Sequence, residues 1–203
     1  MKTIATGIPG LLVIEPKVFV DERGHFFEAH SASKFAAFGI EPGVVQINQS
    51  SSKKGVLRGL HFQAPPHDPT KLVRCGRGRL YDVAVDIRRG SPTFGKWFGV
   101  ELSDENKKML YVPSGFAHGF YSLTDGCELV YLVGKSGYAK AAEGGVRFDD
   151  PAVIIEWPMD GEPLVNERDC TFPLLTEDST PFVFEAASSS AKATEDTLAR
   201  EAS

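Results

Sequence analysis

The chain has 203 residues, 42% of them hydrophobic and 24% charged, which is typical of a globular protein with one good-sized core. Its 22 Lys and Arg against 27 Asp and Glu give a net charge of -5. This balance excludes the broad basic surface that follows a nucleic-acid backbone, so we predict no nucleic-acid partner. The N-terminal apolar run is too short for a signal peptide, and no later stretch approaches the roughly 18 apolar residues of a membrane span. We therefore expect a cytoplasmic protein without a membrane partner.

The predicted elements are mostly short strands. One short helix is expected at 31–39, where serines precede the apolar residues and a glycine follows them. The stretch LYDVAVDI (80–87) alternates strictly, which predicts a strand with two unlike faces. Turn sequences rich in Gly, Pro, Asp and Ser separate further predicted strands at 98–102, 108–112, 119–123, 128–133 and 152–157. Many short strands at close spacing predict an all-β fold, either a sandwich or a jelly-roll barrel.

We predict a single domain over residues 1–185. Residues 186–203 form a tail of Ala, Ser and charged residues with one Leu, which cannot bury a core, so we expect this tail to be disordered or marginally helical. Cys75, Cys127 and Cys170 are far apart and in no CxxC pairing. This spacing favours neither a disulfide framework nor a zinc site, so we expect buried, inert thiols.

The stretch GVLRGLHFQ (55–63) places Arg58 and His61 in an otherwise small, apolar or amide run. A buried polar group without a partner costs roughly 1 to 3 kcal/mol, so these side chains need partners or a chemical role. Simple strand alternation puts Arg58 and His61 on opposite faces. A bulge near Gly59 would bring both to the interior.

The strands carry more polar residues at alternating positions than a filled interior allows, so we predict a pocket. The candidates to line it are Gln46, Asn48, Arg58, His61, Lys71, Asp82, His118 and Tyr131. Each of them taken singly also fits a solvated outer face or a structural hydrogen bond. The residue types alone therefore leave the chemistry of the pocket open.

A metal site is the obvious alternative for histidines in such a fold. The stretch PSGFAH (113–118) resembles the second half of the cupin signature, in which the His is a metal ligand. The first half is missing, because Gln63 rather than a second His follows His61 at i+2 and no Glu comes shortly after. Two imidazoles fall short of the three or so ligands that a catalytic metal needs. We therefore predict no metal, and His118 as a structural or pocket-lining hydrogen-bonding residue.

Eight strings in order carry a family resemblance: DERGHFFE (21–28), QINQSSSKKGVLRGLHFQ (46–63), KLV (71–73), DVAVDIRRGSPTFGKW (82–97), YVPSGFAHGF (111–120), VYL (130–132), DDPAVIIEWP (149–158) and NERD (166–169). Together they resemble the dTDP-4-dehydrorhamnose 3,5-epimerases, sugar-nucleotide epimerases of the metal-free cupin group, over residues 5–176. The resemblance implies an all-β, cupin-type jelly-roll barrel (a double-stranded β-helix) with a few short helices. It also implies a homodimer with exchanged N-terminal strands, a dTDP-linked 4-ketosugar as substrate, and no cofactor.

Inverting carbons next to a ketone needs a base, a partner for the enolate oxygen and an acid on the opposite face. By the resemblance, His61 is the base and Asp169 orients its ring. By the same resemblance, Lys71 is the residue that stabilises the enolate oxygen, since a compact ammonium can lie beside the sugar O4. By the same resemblance, Tyr131 is the acid on the opposite face of the sugar.

The resemblance also assigns the binding residues. Arg23 and Arg58 match the diphosphate contacts, where a guanidinium suits phosphate oxygens. Glu28 and Gln46 match positions that meet the thymine base, with Phe26 as an aromatic neighbour. The remaining candidates for substrate binding are Asn48, His118 and Tyr138. If Arg23 comes from an exchanged segment, each pocket is completed by the other subunit, and activity requires the dimer.

The loop GKSGYAKAAEGG (134–145) departs from the family pattern, because Tyr138 is displaced by one residue and no Pro follows. This departure leaves open whether C3 and C5 or only C3 is inverted, so a 3-epimerase of a related dTDP-4-ketosugar is the alternative. A catalytically silent sugar-binding cupin is a third hypothesis. The joint presence of His61, Lys71, Tyr131 and Asp169 argues against it.

Overall fold

The computed structural model describes residues 1–40 and 43–185, so the tail predicted at 186–203 lies outside the described residues. Two antiparallel β-sheets form the body of the molecule. The larger sheet contains, in spatial order, β1 (Lys2–Ala5), β2 (Leu12–Glu15), β10 (Met109–Val112), β7 (Thr70–Arg77), β12 (Cys127–Gly134) and β5 (Val44–Ser52). The smaller sheet contains β13 (Glu143–Gly145), β6 (Leu57–Gln63), β11 (Phe116–Ser122), β8 (Arg79–Asp86) and β9 (Trp97–Ser103).

Other elements are few and short. A hairpin of β3 (Val18–Asp21) and β4 (Gly24–Phe27) pairs only with itself among the described strands. The helices are α1 (Ala32–Ala36) and α2 (Glu167–Cys170), with 3-10 turns at Lys140–Ala142 and Glu177–Ser179. No helix in the described part of the chain has the length and apolar character needed to cross a bilayer. The prediction of an all-β fold with a few short helices is confirmed. Over the described ranges the two sheets share no ladder, so the predicted barrel is not closed.

Strand β8 shows how the core is divided. Leu80 and Ala84 point between the two sheets, into a cluster that also contains Val73, Leu110 and Phe120. The opposite face of β8 is buried as well, because the C-terminal segment covers it. On that face, the side chains of Val83, Val85 and Ile87 pack against apolar residues from the second half of the chain. These residues are Val146, Val153, Leu175 and Phe182. The predicted alternation is therefore confirmed, and each face of β8 belongs to a different apolar cluster.

Most predicted strands agree with the structure to within a few residues, and α1 falls inside the predicted 31–39 helix. The strand predicted at 152–157 is wrong, since this segment forms turns and irregular backbone. The amide groups of Val153 and Ile154 both donate to the carbonyl of Asp150, and Ile154 has a positive φ of 54°. Val153 is buried while Ile154 is 68% exposed. The apolar run therefore caps the outer face of the smaller sheet without joining a ladder.

The cysteine prediction is correct in part. Cys75 and Cys127 are buried, whereas Cys170 is exposed. Cys170 is the last residue of α2, a four-residue helix on the surface, and its neighbour Asp169 is the residue of α2 that turns inward. The prediction of a buried thiol at Cys170 is therefore wrong.

The bulge predicted near Gly59 is present. In the pairing of β6 with β11, His61 lies opposite His118 and Arg58 lies opposite Phe120, so β6 carries one extra residue between them. Gly59 has a φ of 130°, and a Cβ added there would lie 2.6 Å from the Gly119 Cα. Only glycine fits this close approach. The bulge brings Arg58 and His61 to the same side of the sheet.

Candidate active site

A cavity with two lobes opens between the two sheets. Both lobes are lined by His61, Lys71, His118 and Tyr131, which therefore lie where the lobes meet. The predicted pocket is thus present, with four of the predicted residues at its centre.

His61 is held by Asp169. Its Nε2 lies 2.8 Å from Asp169 Oδ1, and its ring makes an edge contact with Phe172 at 5.7 Å between centroids. Because an ionised carboxylate only accepts hydrogen bonds, Nε2 carries the hydrogen and Nδ1 is left with its lone pair. The His61 side chain is 26% exposed, so it can be reached from the cavity. This arrangement is that of a general base with a fixed tautomer.

Helix α2 places Asp169 at this point. Asn166 caps the helix, and its side chain accepts a hydrogen bond from the Asp169 amide at 2.8 Å. The Asp169 side chain is fully buried, and Oδ2 accepts the Gly59 amide at 3.0 Å. Burial alone would raise the pKa of Asp169, but the hydrogen bonds from His61 and Gly59 outweigh it and lower that pKa. Asp169 is therefore an anion that joins α2 to the bulge of β6.

Lys71 and Tyr131 enter the cavity from the other sheet, on β7 and β12. Burial lowers the pKa of Lys71 to about 8, and the negative charges of Asp82 and Glu143 only partly offset this effect. No hydrogen bond or ion pair engages the Lys71 ammonium in the described part of the chain. Its charge is thus available to a bound anion.

His118 and Asp82 form a second, deeper pair. The two side chains are buried, and His118 Nε2 lies 2.9 and 3.1 Å from the two Asp82 carboxylate oxygens. Burial lowers the pKa of His118, which outweighs the opposite effect of Asp82. His118 is therefore a neutral hydrogen-bonding residue of the cavity wall.

The other predicted residues divide into two groups. The first group lines the cavity: Gln46, Asn48 and Tyr138 in one lobe and Arg58 in the other. Gln46 donates to Asn48 at 2.8 Å, and Arg58 is held by Ser52 at 3.2 Å.

The second group lies on or beside the β3–β4 hairpin and does not line this cavity. Arg23 is 85% exposed at the hairpin tip, where it pairs with Asp21. Phe26 is 65% exposed, and Glu28 pairs with Lys34. Within a single chain the structure therefore does not bring Arg23, Phe26 and Glu28 to the site.

Sequence reasoning missed Arg168 and Glu143. Arg168 Nη2 lies 3.3 Å from His61 Nε2, and Arg168 Nη1 lies 2.8 Å from Glu143 Oε2. The same Glu143 oxygen accepts the Tyr138 hydroxyl at 3.2 Å. The position of Arg168 beside Asp169 in NERD was the available signal, but nothing in the sequence places Glu143 near either. No three His, Cys, Asp or Glu side chains in the described ranges are grouped to hold a metal ion.

The family model for dTDP-4-dehydrorhamnose 3,5-epimerase matches residues 5–177. The chain belongs to this family. A dTDP-4-dehydrorhamnose 3,5-epimerase from Salmonella typhimurium is 48% identical over 178 residues, which cover 87% of this chain and 97% of that protein. The resemblance seen in the sequence is therefore confirmed.

Solved members of the dTDP-4-dehydrorhamnose 3,5-epimerase family have the same fold. The Legionella pneumophila dTDP-6-deoxy-D-glucose-3,5-epimerase, solved with dTDP-4-keto-L-rhamnose, is 41% identical with a TM-score of 0.86, covering 91% of this chain and 99% of that one. A 3'-monoepimerase from Streptomyces bikiniensis, solved with dTDP-quinovose, is 42% identical with a TM-score of 0.78, covering 83% and 85%. The predicted cupin-type jelly roll is confirmed.

Proposed function

We propose that this chain inverts C3 and C5 of dTDP-4-dehydro-6-deoxy-α-D-glucose and so forms dTDP-4-dehydro-β-L-rhamnose. A carboxylate-bound histidine on the smaller sheet and a lysine and a tyrosine on the larger sheet line the same cavity. A sugar ring between the sheets has His61 towards one face and Tyr131 towards the other.

His61 begins the reaction. Its Nδ1 removes the proton from C3, next to the C4 ketone, while Asp169 holds the ring and stabilises the imidazolium that forms. The electron pair of the broken C–H bond moves into the carbonyl and gives an enolate with its charge on O4.

Lys71 stabilises that charge. Its ammonium, free of other partners among the described residues, donates to O4 as negative charge develops there. Burial of Lys71 makes this electrostatic interaction stronger than it would be in bulk water.

Tyr131 completes the inversion. Its phenol donates a proton to the carbon from the face opposite His61, and the C4 ketone reforms. Once His61 has released its proton to solvent and Tyr131 has regained one, the same sequence at C5 inverts the second centre. Since every step moves only protons, the proposed reaction needs no redox cofactor.

We include a homodimer with exchanged N-terminal segments in this proposal. The hairpin exposes Phe19, Val20 and Phe26 by 52, 78 and 65%. Phe19 and Phe26 lie opposite each other on one face of the hairpin and Val20 lies on the other face. Apolar exposure on both faces fits a segment that inserts into a partner. A second copy that received the hairpin would gain Arg23 for the diphosphate, and Phe26 and Glu28 for the base.

Edge strand β5 supports the same dimer. Its inward side chains are polar and include Gln46 and Asn48, whereas its outward Val45 and Ile47 are 58 and 65% exposed. This polarity is the reverse of that of a strand with a solvated outer face. Burial against a second copy would remove the exposed apolar area and protect the unpaired edge. A cytoplasmic location stays a prediction.

The test is the stereochemistry of the product. Purified protein is incubated with dTDP-4-dehydro-6-deoxy-glucose, the product is trapped by chemical reduction of the ketone, and the sugar is identified by its proton coupling constants. We expect both C3 and C5 to be inverted. A sugar recovered with the configuration of the substrate would contradict the proposal.

The second candidate is inversion at C3 alone. The displaced Tyr138 in the 134–145 loop and the similarity to a 3'-monoepimerase favour it. The same product analysis distinguishes the two, because a 3-epimerase leaves C5 unchanged.

A further inference from the structure

Three loops at one end of the cavity meet at the carboxylate of Asp68. Asp68 lies between β6 and β7 and is 6% exposed. It accepts a hydrogen bond from Ser114, in the turn between β10 and β11, and from Lys135 Nζ at 2.5 Å, in the loop after β12. Burial opposes ionisation, but these two bonds lower the pKa of Asp68. We call Asp68, Ser114 and Lys135 the loop clamp.

The loop clamp acts on a segment that needs external support. Residues 135–139 follow Gly134 and contain Gly137, and Lys135 has a φ of 66°, which a non-glycine residue rarely adopts. Local conformational preference therefore does not fix this segment.

Buried Gln63 supplies a second anchor for the same segment. Its amide nitrogen donates to the carbonyls of His67 at 2.8 Å and Gly137 at 3.3 Å, while its oxygen accepts the Ala139 amide at 2.7 Å. Gln63 and the loop clamp therefore both join the loop that contains Asp68 to the segment that contains Tyr138.

The loop clamp belongs to the wall of the cavity. Asp68 and Ser114 line the same lobe as Tyr138 and Glu143. The ion pair between Asp68 and the 45% exposed Lys135 fixes the distance between two walls of this lobe. Because Asp68 is buried and also accepts from Ser114, the pair fixes the relative positions of these loops.

We propose that Asp68 is a positioning residue that determines the extent of inversion. By fixing residues 135–139 against the Ser114 turn, it keeps the lobe narrow enough to hold the sugar ring for the second proton removal, at C5. This inference rests on the proposed function. Removal of the second proton is the more sensitive step, because the ring must present another carbon to the same base, and small misplacements of reacting groups cost large factors in rate.

The test compares Lys135→Met and Asp68→Asn with the wild type in heavy water, with dTDP-4-dehydro-6-deoxy-glucose as substrate. We expect the ratio of initial deuterium incorporation at C5 to that at C3 to fall about fivefold or more and KM to rise, as misplacement of the ring predicts. Lys135→Arg, which keeps the ion pair, should retain the wild-type ratio of C5 to C3 labelling. The control is Lys54→Met, which removes a pair of 2.7 Å with Asp160 from a lysine that is 51% exposed and does not line the cavity. It should leave both quantities unchanged.

Three outcomes overturn the inference. An unchanged C5-to-C3 ratio and KM in Lys135→Met, beside a wild type that labels both carbons, contradicts the loop clamp alone. A loss of labelling that is equal at the two carbons and follows a lowered melting temperature shows a merely structural role. A wild type that labels neither carbon contradicts the proposed function, and the loop clamp falls with it.

Discussion

At the scale of single residues, the site depends on two side chains that approach one cavity from opposite sheets. His61 stands on β6 and Tyr131 on β12, so the proposed base and the proposed acid reach the cavity from different sheets. Inversion requires this opposition, because a base that returned its own proton would restore the original configuration.

Replacement of Tyr131 by Phe separates proton removal from inversion. Without the phenol we expect epimerisation to fall by at least about 100-fold, since general acid catalysis contributes factors of this size. His61 can still remove a proton and return deuterium from heavy water to the same face. Tyr131→Phe should therefore label the substrate without inverting it, which NMR of the recovered substrate would show. Undiminished epimerisation would contradict the acid role.

Lys71 links activity to pH. With its pKa lowered to about 8, Lys71 loses its charge as the pH rises through that value, and the enolate then loses its partner. We expect kcat/KM to fall above about pH 8, close to tenfold per pH unit. A profile that stays flat to pH 10 in a protein that remains folded would contradict the assignment.

The same lowered pKa has a cost in stability. Between about pH 8 and the ordinary lysine pKa, Lys71 holds a proton in the unfolded chain that it has lost in the folded chain. The contribution of Lys71 to the free energy of unfolding therefore rises with pH over this range and is lowest below pH 8. Lys71→Met removes this penalty. We expect the variant to be inactive yet more stable at pH 7, by about 1 to 2 kcal/mol in denaturant unfolding. A less stable variant would show that the lysine serves the fold.

The sequence predicted the residue types of the site but not their spatial pairing. Arg58 and His61 in a small, apolar run indicated a reactive stretch, and Gly59 indicated the bulge that brings both inward. Asp169 is different, because a carboxylate 108 residues from His61 meets it only through the packing of α2 on β6. A local sequence pattern cannot relate two residues that are so far apart along the chain, so only the family resemblance predicted the pairing of His61 with Asp169.

At the scale of elements, the four-residue helix α2 positions the Asp169 carboxylate against His61. Helix α2 is too short to be stable alone, and Asn166 supplies its N-terminal cap. The strand wrongly predicted at 152–157 shows the corresponding limit of prediction. A short apolar run has the same pattern whether it joins a ladder or caps the outside of a sheet.

Asn166→Ala tests the role of α2. Loss of the cap should cost about 1 kcal/mol of stability and let Asp169 move relative to His61, so we expect kcat to fall several-fold while KM stays close to its original value. The matched control is Thr176→Ala, which removes the cap of the 3-10 turn Glu177–Ser179 at a similar cost in stability. If both variants lost activity in proportion to their stability, a positioning role for α2 would be wrong.

At the scale of the whole molecule, the exposed hairpin and the apolar outer face of β5 are the two surfaces that we assign to the proposed dimer. The sequence predicted Gln46 and Asn48 as pocket-lining residues, and the family resemblance implied an exchanged N-terminal segment. What the sequence did not contain was the observed orientation of β5 against its neighbours. The structure gives that orientation, with Gln46 and Asn48 inward and Val45 and Ile47 outward.

Mixed dimers test whether the pocket is shared. Arg23→Ala and His61→Asn should each be inactive as pure proteins. In a random mixture half of the dimers contain one of each, and one site of such a dimer has neither defect, so about a quarter of the wild-type activity should return. Size-exclusion chromatography with light scattering would measure whether each sample is dimeric. No recovery after refolding the variants together would contradict the exchanged segment.

Every step of the proposed reaction begins with His61, which we propose removes the protons from both C3 and C5. The most direct measurement follows the sugar protons by NMR in heavy water, for the wild type and for His61→Asn, with dTDP titration to show that the variant still binds nucleotide. We predict deuterium at both carbons with the wild type and at neither with the variant. Deuterium at either carbon in His61→Asn at the wild-type rate would contradict the account.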